Sequence, residues 1–269
     1  MAVQQSPAPQ SVHICFERII PDELDPERSA RRALRDHMTA TAGRTLDAGE
    51  VMNVARMAVV MTKKWPMGAT LKCRFLDGSA TMKKKVEAVA HQWEQYCNIR
   101  FKFGASIAAD IRISFRADPG SWSAVGRDAL NRLYFPIFQP TMNYGWFHDD
   151  TPDDEYSRVV LHEFGHALGC IHEHQSPTFD RQWNTQAVLQ SFQGPPNYWS
   201  PDDIQQNVLS KYSPTGISAT QFDPKSIMLY YFDAALFSDG LGATNSNTTL
   251  SDIDINMIKT MYPPANVTK

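Results

Sequence analysis

Two histidines four residues apart, a glutamate beside the first and a third histidine six residues on can together hold a metal ion and use it. The segment is His162-Glu163-Phe164-Gly165-His166-Ala167-Leu168-Gly169-Cys170-Ile171-His172. Positions four apart share a helix face, so His162 and His166 present two imidazoles to one point. Zinc takes such nitrogens at about 2.0–2.1 Å in a near-tetrahedral shell. Gly169 tolerates positive φ, ends the helix, and lets the chain turn sharply to bring His172 beneath the same ion. Glu163 adjoins a ligand but points elsewhere, within reach of a water at the open fourth position. There the ion lowers the water's pKa towards about 7, and the carboxylate takes its proton and delivers it to a leaving amine. A structural zinc asks for a fourth protein ligand. The nearest candidate, His174, lies only two residues past His172, so three histidines beside a base favour the catalytic form.

The elements that must position these groups are legible around them. Thr151-Pro152-Asp153-Asp154 opens a helix, with Thr151 expected as N-cap, Pro152 at the first helical position and the acids at the positive end. That helix runs through Val159, Val160, Leu161 and Phe164 to Gly169, and with few charges after Arg158 it is expected to be buried. Upstream, Leu71, Cys73 and Phe75 alternate with Lys72 and Arg74, as do Ile99, Phe101 and Phe103, and Ile111, Ile113 and Phe115; each set is a strand. Between the first two, Met82, Val86, Val89, Trp93 and Tyr96 recur at helical steps, which predicts a helix of about four turns. Strand, helix, strand, strand implies a twisted mixed sheet with the helix on one face. Ser251-Asp252-Ile253-Asp254 caps a final helix through Ile255, Ile258 and Met261.

The chain of 269 residues, 42% hydrophobic and 20% charged with net charge −3, suits one large soluble domain plus an extension. No basic excess points to nucleic acid and no apolar run is long enough to span a bilayer. Met1 to Gln10 lacks a basic start followed by an apolar core, so it does not read as a signal peptide. The expectation is a cytoplasmic or non-classically secreted protein, or a secreted one whose leader has been removed. The sequons at Asn247 and Asn266 matter only in a secretory pathway. Cys15, Cys73, Cys97 and Cys170 form no CxxC pair and no disulfide framework, although one or two bridges remain open. Residues 1–59 are read as an N-terminal extension or pro-segment, with a charged helix around Glu27–Thr39, and 60–269 as the catalytic domain.

At this point the sequence resembles the metzincin metallopeptidases, whose signature is HExxHxxGxxH followed by a methionine turn. His162, Glu163, His166, Gly169 and His172 match every fixed position, and Ser226-Ile227-Met228-Leu229-Tyr230 is similar to the Met-turn. Glu173 after the third histidine, Tyr230 two residues after Met228, and Leu250–Ile258 resemble the astacin-like branch. Cys170 and Leu229 depart from the residues common there, and the usual disulfide positions are not evident. The resemblance covers about residues 60–263. It implies an α+β zincin: a twisted mixed sheet with long helices in an upper lobe, an irregular lower lobe with a C-terminal helix, and a cleft between. It also implies a zinc endopeptidase that binds an extended peptide or protein substrate along an edge strand, and a monomer is expected.

By the same resemblance, Tyr230 is a weak zinc ligand or an oxyanion stabiliser, a role that suits a phenol near the metal. Met228 packs under the imidazoles rather than ligating. Glu173 either pairs with a buried ammonium at a processed N-terminus or is an ordinary carboxylate. Trp122, Tyr144 and Trp146 are cleft candidates, with core the commoner place for aromatics. Cys15 is a candidate fourth ligand that would keep the full-length chain latent. Two other functions stay open on sequence: a silent zinc-binding module, and a hydrolase of non-peptide amides or esters.

Overall fold

The computed structural model describes residues 15–18, 20, 63–117, 120–195, 197–211 and 221–264. Its centre is a six-stranded mixed sheet in the order β1-β5-β6-β4-β2-β3. The strands are β1 (Phe16–Arg18), β2 (Thr70–Phe75), β3 (Arg100–Phe103), β4 (Ile111–Ser114), β5 (Trp122–Ala124) and β6 (Met142–Asn143). All neighbours are parallel except β5 and β6. The expected alternation holds in β2, where Leu71 and Cys73 are buried between exposed Thr70 and Lys72. In β4 every residue is buried. The reason is Arg112, whose guanidinium donates to the carbonyls of Gln139 (2.8 Å), Phe135 (3.0 Å) and Ala109 (3.3 Å) and so pulls the 126–140 loop over the second face.

Helix α1 (Ala80–Ala90) starts at Ser79, which accepts from the Met82 amide, and buries Met82, Val86 and Ala90. It is shorter than the periodicity predicts. The chain leaves the helix after Ala90 and re-forms a single 3₁₀ turn at Trp93–Gln95. That break lets the buried Trp93 indole donate to the Leu161 carbonyl (3.1 Å) on the next helix. Helix α2 (Asp153–Ala167) is buried from Val159 to its end, as an apolar helix at the centre of a domain must be. Phe164 meets Phe101 edge-to-face at 4.8 Å, which seats α2 against the sheet. The cap differs from the one expected. Pro152 occupies the N-cap position, while Thr151 Oγ1 turns back to accept from the His148 amide at 2.8 Å. Asp153, Asp154 and Glu155 do fill the first turn.

Below α2 the chain is mostly irregular, with α3 (Thr185–Gln193), the short α4 (Pro201–Ile204) and α5 (Asp252–Met261). The expected capping box at Ser251 and Asp254 is present. Tyr262, just past α5, ties the halves together: its hydroxyl donates to the Leu168 carbonyl (2.7 Å) and accepts from the Trp65 amide (3.1 Å). The architecture is the α+β arrangement anticipated from the sequence. All four cysteines are buried free thiols, so no disulfide contributes. The helix expected around residues 27–39 and the sequon at Asn266 lie outside the described residues.

Candidate metal centre and catalytic site

The helix stop does two jobs. Gly169 has φ +100°, and a Schellman turn closes α2: the Cys170 amide donates to the Gly165 carbonyl (2.9 Å) and the Gly169 amide to the His166 carbonyl (2.7 Å). The same turn points the Cys170 carbonyl at His166, whose Nδ1 donates to it at 2.9 Å. His162 Nδ1 donates to the Ile227 carbonyl at 2.8 Å. Both rings are therefore held with Nε2 as the bare acceptor.

The three Nε2 atoms converge. His166 Nε2 is 3.1 Å from that of His162 and 3.0 Å from that of His172. All three residues are buried and form the metal-ligand cluster among the described residues. Burial holds His162 and His172 well below the usual imidazole range, so both stay neutral and able to ligate. Three lone pairs aimed at one buried point repel unless a cation sits between them, and an all-nitrogen set of three suits zinc. The residues present fit the ion.

Around the cluster stand the other sequence candidates. Met228 is buried and lies beneath α2 against Gly165. Its carbonyl accepts from the Glu173 amide at 3.0 Å, which joins the third-histidine loop to the Met-turn. The Tyr230 phenol lies against His172 Nε2 and donates to the Cys15 carbonyl at 2.5 Å. Its ring packs between those of His162 (5.1 Å) and His174 (5.1 Å). Glu163 is fully buried on α2. The Cys15 thiol lies close to it; burial first, and then the charge of Glu163, push that thiol's pKa up. Cys15 is thus placed beside Glu163, and the compact cluster of metal-ligand type among the described residues consists of the three histidines.

Beyond Cys15, β1 runs parallel to β5, pairing Phe16 with Trp122 and Arg18 with Ala124. It covers the edge that β5 would otherwise leave open. Trp122 and Tyr144 are both buried, and half-buried Trp146 donates to Glu155 at 2.8 Å. Glu173 accepts from the Asp223 amide at 2.9 Å, and burial raises its carboxyl to about 7. His174 is buried and donates from Nε2 to the Asn207 carbonyl at 3.0 Å, an assignment to packing rather than to the metal shell.

Sequence reasoning missed the groups that orient the ligands. Two are backbone carbonyls, of Ile227 and Cys170, which no residue type announces. A third is Asp254, read only as a helix cap. It also accepts from the Ser226 hydroxyl (2.7 Å) and the Ile227 amide (2.8 Å), and so fixes the Met-turn whose carbonyl holds His162.

The fold and this site together are those of a zincin. No family model matches the chain. Two solved structures of myroilysin are 40% identical to it over 76% of its length. One is covered to 98% with a TM-score of 0.72, the other to 87% with a TM-score of 0.60. Protein SpAN of Strongylocentrotus purpuratus is 23% identical over 186 residues, which is 66% of this chain; the chain spans about a quarter of that relative, 25% of its length. The chain belongs to the astacin-like branch of the metzincin zinc metallopeptidases.

Proposed function

We propose that this protein is an endopeptidase that hydrolyses internal peptide bonds of protein substrates, with Glu163 as general base and acid, and that its N-terminal segment holds it latent. The observation that carries the reading is the convergence of three buried imidazoles, with His166 Nε2 3.1 Å from that of His162 and 3.0 Å from that of His172, beside a buried glutamate one residue along the helix. Bound there, zinc supplies Lewis acidity that polarises the scissile carbonyl and acidifies the attacking water. Glu163, excluded from bulk solvent, takes a proton from that water and returns it to the departing amine. The Tyr230 hydroxyl, beside His172, donates to the oxygen that becomes negative as the carbonyl is attacked. Substrate adds as an extended strand to the β5 edge, which aligns its backbone above the three histidines.

Latency is supported by what the N-terminal segment touches. Cys15 meets Glu163 through its thiol and Tyr230 through its carbonyl, and β1 takes the place of substrate on β5. A thiolate is a strong zinc ligand, and Cys15 is the cysteine whose thiol reaches the catalytic glutamate. In this reading Cys15 takes the fourth position until the segment leaves. Digestion of a mixed peptide library with and without chelator tests the function. Internal cleavages that vanish with chelator and return with zinc are expected. Absence of chelator-sensitive cleavage, both before and after release of the N-terminal segment, contradicts the reading.

A further inference from the structure

The N-terminal segment is also held at a second place, through Ile20. Ile20 is 3% exposed and sits with Trp122, Ala124, Ala129 and Phe135 in an apolar cluster separate from the main core. Trp122 and Ala124 are two apart on β5 and so share one face of the strand. The Phe135 ring lies nearly parallel to that of Trp122 (6.3 Å, 19°), and Tyr134 packs edge-on against Phe135 at 4.8 Å. Ala129 comes from the 3₁₀ turn that follows β5.

This pocket is built from the catalytic domain's own parts. The loop behind it is fixed by the Arg112 bond to the Phe135 carbonyl and by a buried ion pair, Lys63 to Asp128 at 2.6 Å. Asn131 accepts from the Leu133 and Tyr134 amides and sets the bend that presents Phe135. These contacts join parts of the catalytic domain to one another, while Trp122 and Ala124 also lie on the strand that pairs with β1.

We infer that the pocket of Trp122, Ala124, Ala129 and Phe135 is a substrate subsite for a large aliphatic side chain, and that Ile20 fills it as a built-in stand-in. The inference rests on the peptidase reading and names the specificity of that same cleft. Its direction follows from the pairing. From Cys15 at the base to Ile20 in the pocket, β1 runs parallel to β5. A substrate in the more stable antiparallel pairing runs from pocket to base. The side chain it places in the pocket therefore lies about four or five residues on the N-terminal side of the scissile bond, at about 3.3 Å per residue.

Two readouts on the full-length chain test this, one independent of activity. The first is native-state labelling of each cysteine with a thiol reagent, resolved by peptide mapping. Ile20→Asp should speed labelling of Cys15 by about tenfold or more, the worth of burying one aliphatic side chain. Ile20→Leu should match the parent, and Cys73, Cys97 and Cys170 should stay protected in every variant. Equal Cys15 labelling in the parent and in Ile20→Asp overturns the pocket. The second is the library cleavage profile of a chain carrying Cys15→Ser with Ile20→Asp, which frees both anchors. Ile, Leu and Val should be enriched at the fourth or fifth position before the cut. Adding Ala129→Leu should flatten that enrichment, and Phe135→Leu should shift it towards aromatic residues, with the positions beside the cut unchanged. A profile with no aliphatic preference there, or one that neither variant alters, overturns the subsite. Absence of all cleavage instead overturns the peptidase reading, and the labelling then decides whether the pocket takes aliphatic side chains.

Discussion

Met228 Sδ occupies the space where a side chain on Gly165 would begin: a Cβ built on that glycine stands 2.4 Å from the sulfur. The second residue between Glu163 and His166 in the zinc signature is therefore small because the Met-turn packs into the helix there. The turn and the ligands are also joined by the bond from His162 Nδ1 to the Ile227 carbonyl. Gly165→Ala should force Met228 away and disturb both. The expected cost is about 1–3 kcal/mol of stability, typical of overpacking a dense core, with weaker zinc retention. Thermal unfolding with and without added zinc measures it; an unchanged midpoint in both contradicts the interlock.

Tyr230→Phe removes the hydroxyl beside His172 and keeps the ring that packs between His162 and His174. Loss of one donor to a developing oxyanion typically lowers kcat by about 10²-fold or more. KM should change little, since the donor acts mainly on the transition state. Steady-state kinetics on one defined peptide decides it, and equal kinetics in the variant contradict the role.

The metal site was legible because its chemistry is local. His162, Glu163, His166, Gly169 and His172 fall within eleven residues on one helix and its stop, where spacing alone dictates geometry. The strands at 70–75, 100–103 and 111–114 were legible from alternation. The end of α1 was not, because the apolar repeat continues through Trp93 and Tyr96 while the backbone breaks to suit a distant carbonyl, that of Leu161. The cap at Thr151 was misassigned for a related reason: its hydroxyl serves the amide of His148 in the loop before it. The return of Cys15 to Glu163 and of Ile20 to Trp122 joins segments more than a hundred positions apart, beyond the reach of any periodicity.

Asp254 links the last helix to the site by accepting from Ser226, Ile227 and Ser251 while almost fully buried. Asp254→Ala should destabilise the protein by about 3 kcal/mol, from a lost cap and unpaired buried donors. Urea unfolding measures the loss. A change below about 0.5 kcal/mol, the range of ordinary surface substitutions, contradicts its anchoring role.

Cys15→Ser should raise the peptidase activity of the full-length chain and change its zinc coordination, since a hydroxyl is a poor substitute for a thiolate. Activity assay and metal-edge spectroscopy on the same samples test both halves. Unchanged activity together with unchanged coordination ends the latency reading.

The central claim is that Glu163 performs the proton transfers at a zinc held by three histidines. Its most direct test is Glu163→Gln, in a chain freed of both N-terminal anchors by Cys15→Ser with Ile20→Asp, with zinc content and kcat/KM measured on the same preparation. Gln keeps the shape of the side chain and removes the base, so about one zinc per chain should remain while kcat/KM falls by about 10²-fold or more. Full zinc occupancy with undiminished cleavage contradicts the account.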